Sequence, residues 1–249
     1  MEEINKKFDR LVNIGLDKVK RFPYWKVYKS RSINVKRILC YGDSNTWGFV
    51  PGKGTRFSKD ERWTGVAQKE LGAEYEIIED GINGRTTIWD NPYLGEYING
   101  YKGLPYSFFR SKPIDLVFLM LGTNDLIYTD SVGVYKGIYK IAKAIKNADI
   151  VFEGSTDGSQ KIFNEKPSII LAAPVISAES TINDEDGGKR YRESRKSVDE
   201  IKKVAEILDL EYFDASQFAE ASSVDGIHMD KNNHYQLGIA IAEKIRSIL

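Results

Sequence analysis

Five strand-sized apolar segments, at residues 36–41, 75–80, 114–121, 168–174 and 211–213, constrain the fold most strongly. Helical patterns at 62–71, 131–148 and 189–208 lie between them, and a last one at 231–248 closes the series. Strands that alternate with helices predict a parallel sheet covered on both faces, with right-handed crossovers. Five strands of this kind favour a flavodoxin-like, three-layer α/β/α sandwich with strand order 2-1-3-4-5. Its switch point lies between strands 1 and 3, and ligands bind beyond the carboxyl ends of the strands there.

The chain has 249 residues, enough for one large α/β domain or two small ones. Lys plus Arg and Asp plus Glu both number 36, so no basic surplus points to nucleic acid or an anionic membrane. The longest apolar runs, Ile114–Leu121 and Ile169–Ile176, are broken by Asp115 and Pro174 and fall far below the roughly 18 residues a membrane span needs. The first residues lack the apolar core of a secretory signal. A single cysteine, Cys40, permits no internal disulfide; it is expected to be a buried core thiol, and its solitude fits the reducing cytoplasm.

Residues 1–35 differ from the rest and are expected to form an N-terminal extension to a domain at 36–249. Leu11, Ile14, Leu16 and Val19 recur at near-helical spacing among basic residues, and the aromatic segment Phe22-Pro23-Tyr24-Trp25 follows. This is either an arm packed on the domain or a neighbouring subunit, or an interfacial membrane helix. The polar stretch 153–166 reads as a surface loop, and the charge-dense stretch 183–203 as a solvated helix face.

The residues that follow the strands carry the chemistry. Strand 1 runs into Gly42-Asp43-Ser44-Asn45, which places a hydroxyl where a helix begins and where backbone N–H groups favour negative charge. Strand 2 leads to Gly84, strand 3 to Gly122-Thr123-Asn124-Asp125, and Asp225-Gly226-Ile227-His228 precedes the last helix. The topology brings all four to one sheet edge. A serine hydroxyl needs a base to take its proton, and the chain has only two histidines, His228 and His234. Asp225, three residues before His228, can hold one imidazole nitrogen and leave the other for Ser44. His234 lies within a helical pattern and is expected to be a surface or packing residue. The N–H groups of Ser44 and Gly84 and the side-chain amide of Asn124 are candidate oxyanion donors. Asp43 and Asp125 are expected to brace loops by accepting backbone hydrogen bonds.

These four blocks, with the longer stretches GDSNTWG, GRTT, LVFLMLGTND and DGIHMDKNNHYQLGIAIAEKIRSIL, resemble the SGNH (GDSL-type) hydrolases, and most closely their bacterial arylesterase/acyltransferase branch. The resemblance covers about 36–249. It implies a serine esterase with Ser44 as nucleophile, His228 as base, Asp225 as orienter and an oxyanion hole from Ser44, Gly84 and Asn124, with no metal and no cofactor. That branch includes oligomeric enzymes, and some members transfer acyl groups to alcohols in water. The expected partner is a small-molecule ester with a short acyl group. Trp47 and Trp89, near the Ser44 turn and the Gly84 loop, either wall a confined acyl pocket or belong to the core. Tyr93, Tyr97, Tyr101, Tyr106, Phe108 and Phe109 follow the Gly84 loop and either bind a sugar face or form a subunit contact. The alternatives are therefore a carbohydrate O-acetylesterase and a non-catalytic binding domain of the same fold. A metal phosphoesterase fits less well, because both histidines lie within seven residues of each other and no ligand spacing accompanies them.

Overall fold

The computed structural model describes residues 35–92, 94–148, 161–179 and 188–249. The N-terminal helix and aromatic segment expected before residue 35 lie outside the described residues, as do Tyr93 and most of the expected loop at 153–166. The five strands are β1 (Lys36–Gly42), β2 (Tyr75–Gly81), β3 (Ile114–Met120), β4 (Phe163–Ala173) and β5 (Glu211–Asp214). All neighbouring strands are parallel, in the order β2-β1-β3-β4-β5. The helices are α1 (Ser44–Trp47), α2 (Trp63–Leu71), α3 (Gly100–Ser111), α4 (Ser131–Lys146), α5 (Lys189–Leu208) and α6 (Lys231–Arg246).

Side chains alternate across the pleat and sort into two cores. Leu39, Tyr41, Val117, Leu119, Ile169 and Leu171 face α3, α4 and α5. Ile38, Cys40, Leu116, Phe118, Met120, Ile170 and Phe213 face α2 and α6. The near-continuous apolar runs of the central strands follow from this, since both faces are covered.

Two departures from the sequence reading have physical causes. Helix α3 was not expected, because Gly100, Gly103 and Pro105 fall within its 12 residues. The Asn99 side chain caps it by accepting from Lys102 N, and Leu104 and Phe108, one turn apart, are fully buried against the sheet. Tertiary burial thus outweighs poor local propensity. Strand β4 begins at Phe163, five residues before the expected 168. Phe163 is buried and pairs with Ile114, and the register then shifts before Ser168 pairs with Leu116. The polar residues 164–166 hid this irregular first part, so the expected surface loop overlaps the strand.

Candidate active site

The carboxyl ends of β1, β2 and β3 meet where Gly42 stands in register with both Gly81 and Met120. Gly81 is obligatory there, because a Cβ on it would lie 2.2 Å from the backbone nitrogen of Trp47. The first turn of α1 can therefore sit directly against β2. Asp43 caps α1, its Oδ1 accepting from Asn45 N at 3.0 Å, and Ser44 opens the helix.

The loop before α6 brings His228 to Ser44. Asp225 Oδ1 accepts from Ile227 N at 3.1 Å and His228 N at 3.0 Å, which fixes the turn. Its Oδ2 lies 2.9 Å from His228 Nδ1, and His228 Nε2 lies 2.9 Å from Ser44 Oγ. With Nδ1–H donating to the carboxylate, Nε2 presents its lone pair to the serine hydroxyl. Burial alone would raise the Asp225 pKa; the donors from His228 and Ile227 outweigh it and hold the carboxyl below its ordinary value. Phe49 stacks on the His228 ring with centroids 4.2 Å apart, fixing its plane.

The Gly84 turn and the Asn124 turn are joined to each other. Gly84 has φ +77°, a conformation open to glycine and costly for other residues. Asn124 Nδ2 donates to Arg85 O at 3.1 Å, which orients its amide. Asp125 Oδ1 accepts from Thr87 N at 2.8 Å, and its Oδ2 accepts from the Thr87 hydroxyl. Asp43 and Asp125 are thus both braces, as expected. Burial pushes Asp43 up to about 6 and Asp125 up to about 7, the second with help from the nearby Asp43 charge. Neither the N–H of Ser44 nor that of Gly84 has a hydrogen-bond partner among the described residues, so both remain able to serve an incoming oxyanion.

Two contributors were missed by sequence reasoning. Asn45 donates from Nδ2 to Ile227 O and accepts at Oδ1 from Met229 N, both at 3.1 Å, and so spans the serine turn and the histidine loop. Arg85 is buried over the Tyr41 ring, 4.0 Å from its centroid. It donates from Nη1 to Gly42 O at 2.9 Å and to Asp80 O, and from Nη2 to Asp80 Oδ1 at 2.7 Å. Their positions in GDSN and GRTT were the available signal, but partners so far along the chain were not readable.

His234 is fully buried in α6. Its Nδ1 accepts from Trp63 N at 3.3 Å, its ring meets Phe57 edge-on, and burial pushes its pKa down to about 3. It is a neutral packing residue. Trp47 lies half-buried under the Arg56 guanidinium, and Trp89 is half-buried beyond the Gly84 loop. Neither lines the roughly 630 Å³ pocket that opens beside β2 and α3. Among the described residues no three His, Cys, Asp or Glu side chains are grouped to hold a metal, and no helix is long and apolar enough to cross a membrane.

The chain belongs to the GDSL-like lipase/acylhydrolase family, whose pattern it matches over residues 40–234. Among solved structures it is similar to the M. smegmatis aryl esterase, with 31% identity over 86% of this chain and 100% of that one and a TM-score of 0.76. A carbohydrate acetylesterase from Sinorhizobium meliloti shares 29% identity over 86% of this chain and 100% of its own, with a TM-score of 0.78. No curated protein matches the chain.

Proposed function

We propose that this protein is a serine esterase that hydrolyses small carboxylic esters through an acyl-enzyme on Ser44. The observation that carries the reading is the unbroken relay from Asp225 through His228 to Ser44, each step 2.9 Å long. Ser44 Oγ attacks the ester carbonyl as His228 Nε2 takes its proton, and the Asp225 carboxylate stabilises the imidazolium. The N–H groups of Ser44 and Gly84 and the second N–H of the Asn124 amide receive the oxyanion. His228 then protonates the departing alcohol. Water, activated by the same nitrogen, releases the acid; an alcohol in its place completes a transfer. Carboxylic-ester hydrolysis needs no further group, so the reading includes no cofactor.

Short acyl groups are the preferred substrates on this reading, with Trp47 and Trp89 as pocket walls. The likeness to a carbohydrate acetylesterase favours an acetylated sugar as the second reading. Buried Cys40, with no partner thiol, suits the cytoplasm. Self-association, suggested by the aromatic segment Phe22–Trp25, is part of the same proposal and is read by the mass in solution.

The test is hydrolysis of p-nitrophenyl esters from acetate to dodecanoate by wild type, Ser44→Ala, His228→Ala and the double variant. Each single change should reduce kcat by roughly 10⁴–10⁶, with little further loss in the double variant. Near-native turnover by Ser44→Ala would refute the mechanism. A rate that peaks at long chains would refute the confined pocket. Absence of Ser44 labelling by a serine-reactive phosphonate would favour the binding-domain alternative.

A further inference from the structure

The pocket of roughly 630 Å³ beside β2 and α3 has no part in the Ser44 chemistry, since neither Ser44 nor His228 lines it. It nevertheless shares the turn that carries Gly84. Ile82 and Arg85, on either side of that turn, form part of its wall. Its volume lies within the range of small-molecule sites.

Two features of the lining are unusual for a surface hollow. Tyr97 and Tyr106 both border it and are 64% and 79% exposed. Tyrosine joins a large apolar face to a hydroxyl, and such rings favour ligands that are apolar on one face and wet on the other. The second feature is charge that is abundant but internally matched. Asp80 is bridged by Arg85 and, at 3.2 Å, by Arg110; Glu96 is bridged by Lys102 at 2.9 Å. Arg110 spends one nitrogen on Asp80 and is 67% exposed in its side chain, so most of its donors face outward.

This combination selects among ligand classes. An acyl chain would strip water from the exposed Arg110 and Glu96 charges and return no hydrogen bonds. A simple anion would leave the tyrosine faces unused and would meet Glu96 as well as Arg110. A pyranose unit satisfies both features, because its C–H face packs on an aromatic ring while its hydroxyls both donate to carboxylates and accept from a guanidinium. We infer that this pocket binds a saccharide unit between Tyr97 and Tyr106, with its hydroxyls reaching Arg110 and Glu96, as a site separate from Ser44. The inference does not rest on the serine chemistry, and it names a second site whether the hydrolysed ester is a sugar ester or not.

The test is titration of the full chain, with Ser44 first labelled by a phosphonate, against xylobiose, cellobiose, N-acetylglucosamine and galacturonate, followed by saturation-transfer NMR and calorimetry. At least one sugar should bind with a millimolar Kd, and Tyr106→Ala and Arg110→Met should each weaken it tenfold or more. Tyr97→Ala serves as an independent variant. Both tyrosines are exposed, so thermal midpoints close to that of wild type would confirm that the variants are folded. Absence of binding by all four sugars overturns the proposal, as does binding that all three variants leave unchanged. Binding seen only before phosphonate labelling would place the sugar at Ser44 and also overturn it. The esterase reading is decided separately, by Ser44 labelling and ester turnover, so the two failures cannot be confused.

Discussion

Asn45 uses one amide to hold Ile227 O and Met229 N, and those bonds set the distance between Ser44 and the His228 ring. Asn45→Ala leaves the buried Met229 N–H without an acceptor, a cost of about 1–3 kcal/mol. Because small misplacements of reacting groups are costly, kcat on p-nitrophenyl acetate should fall by roughly 10–100-fold while Ser44 stays labelable by a phosphonate. Asp125 gives a test by pH. Its carboxyl is raised from an ordinary value near 4 to about 7, so the folded state holds a proton that the unfolded chain releases. The stability linked to that proton is fully present below about pH 4 and is lost as pH rises through about 7. Asp125→Asn removes this linkage and keeps an acceptor for Thr87 N. In urea unfolding at several pH values, the variant should gain on wild type as pH rises from 4 to 8; a constant difference would refute the shift. The serine, histidine and aspartate were legible because each stands in a glycine-containing turn and histidine is scarce. Asn45 and Arg85 were not, because their roles depend on backbone carbonyls that only the folded topology brings near.

At the scale of elements, α6 follows the histidine loop directly and anchors it. Asp230 caps that helix by accepting from Asn233 N at 2.9 Å. Asp230→Ala should cost about 1 kcal/mol of stability, read by urea unfolding at neutral pH. His234, three residues into the same helix from Lys231, ties α6 to the start of α2 by accepting from Trp63 N. Strand and helix positions were legible wherever the period was strong, as in β1, β3, α4 and α5. They were illegible in α3, where Pro105 and two glycines contradict the helix, and in the first residues of β4, where Asn164, Glu165 and Lys166 contradict a buried strand. In both cases a few large side chains, Leu104 and Phe108 in one and Phe163 in the other, supply burial that propensity does not anticipate.

For the whole molecule, the two cores on opposite sheet faces explain why one parallel sheet suffices to hold four separate loops in register. The balance of 36 basic and 36 acidic residues has a consequence for handling. With a pI near 6.8, solubility should pass through a minimum close to neutral pH and recover by about pH 9, as light scattering against pH would show. The sheet order was legible because strand–helix alternation leaves few topologies for five strands.

Ser44 and His228 stand 184 positions apart, and the amide of Asn45 ties the same two regions together. During synthesis, therefore, the Ser44, Gly84 and Asn124 turns and five of the six helices among the described residues leave the ribosome before His228 does. On the proposed mechanism the emerging polypeptide is chemically silent until His228 has been translated, however well its earlier strands have paired. Ester turnover on this reading begins only once His228 has been made, and a ribosome stalled anywhere upstream of it carries a scaffold without a reaction.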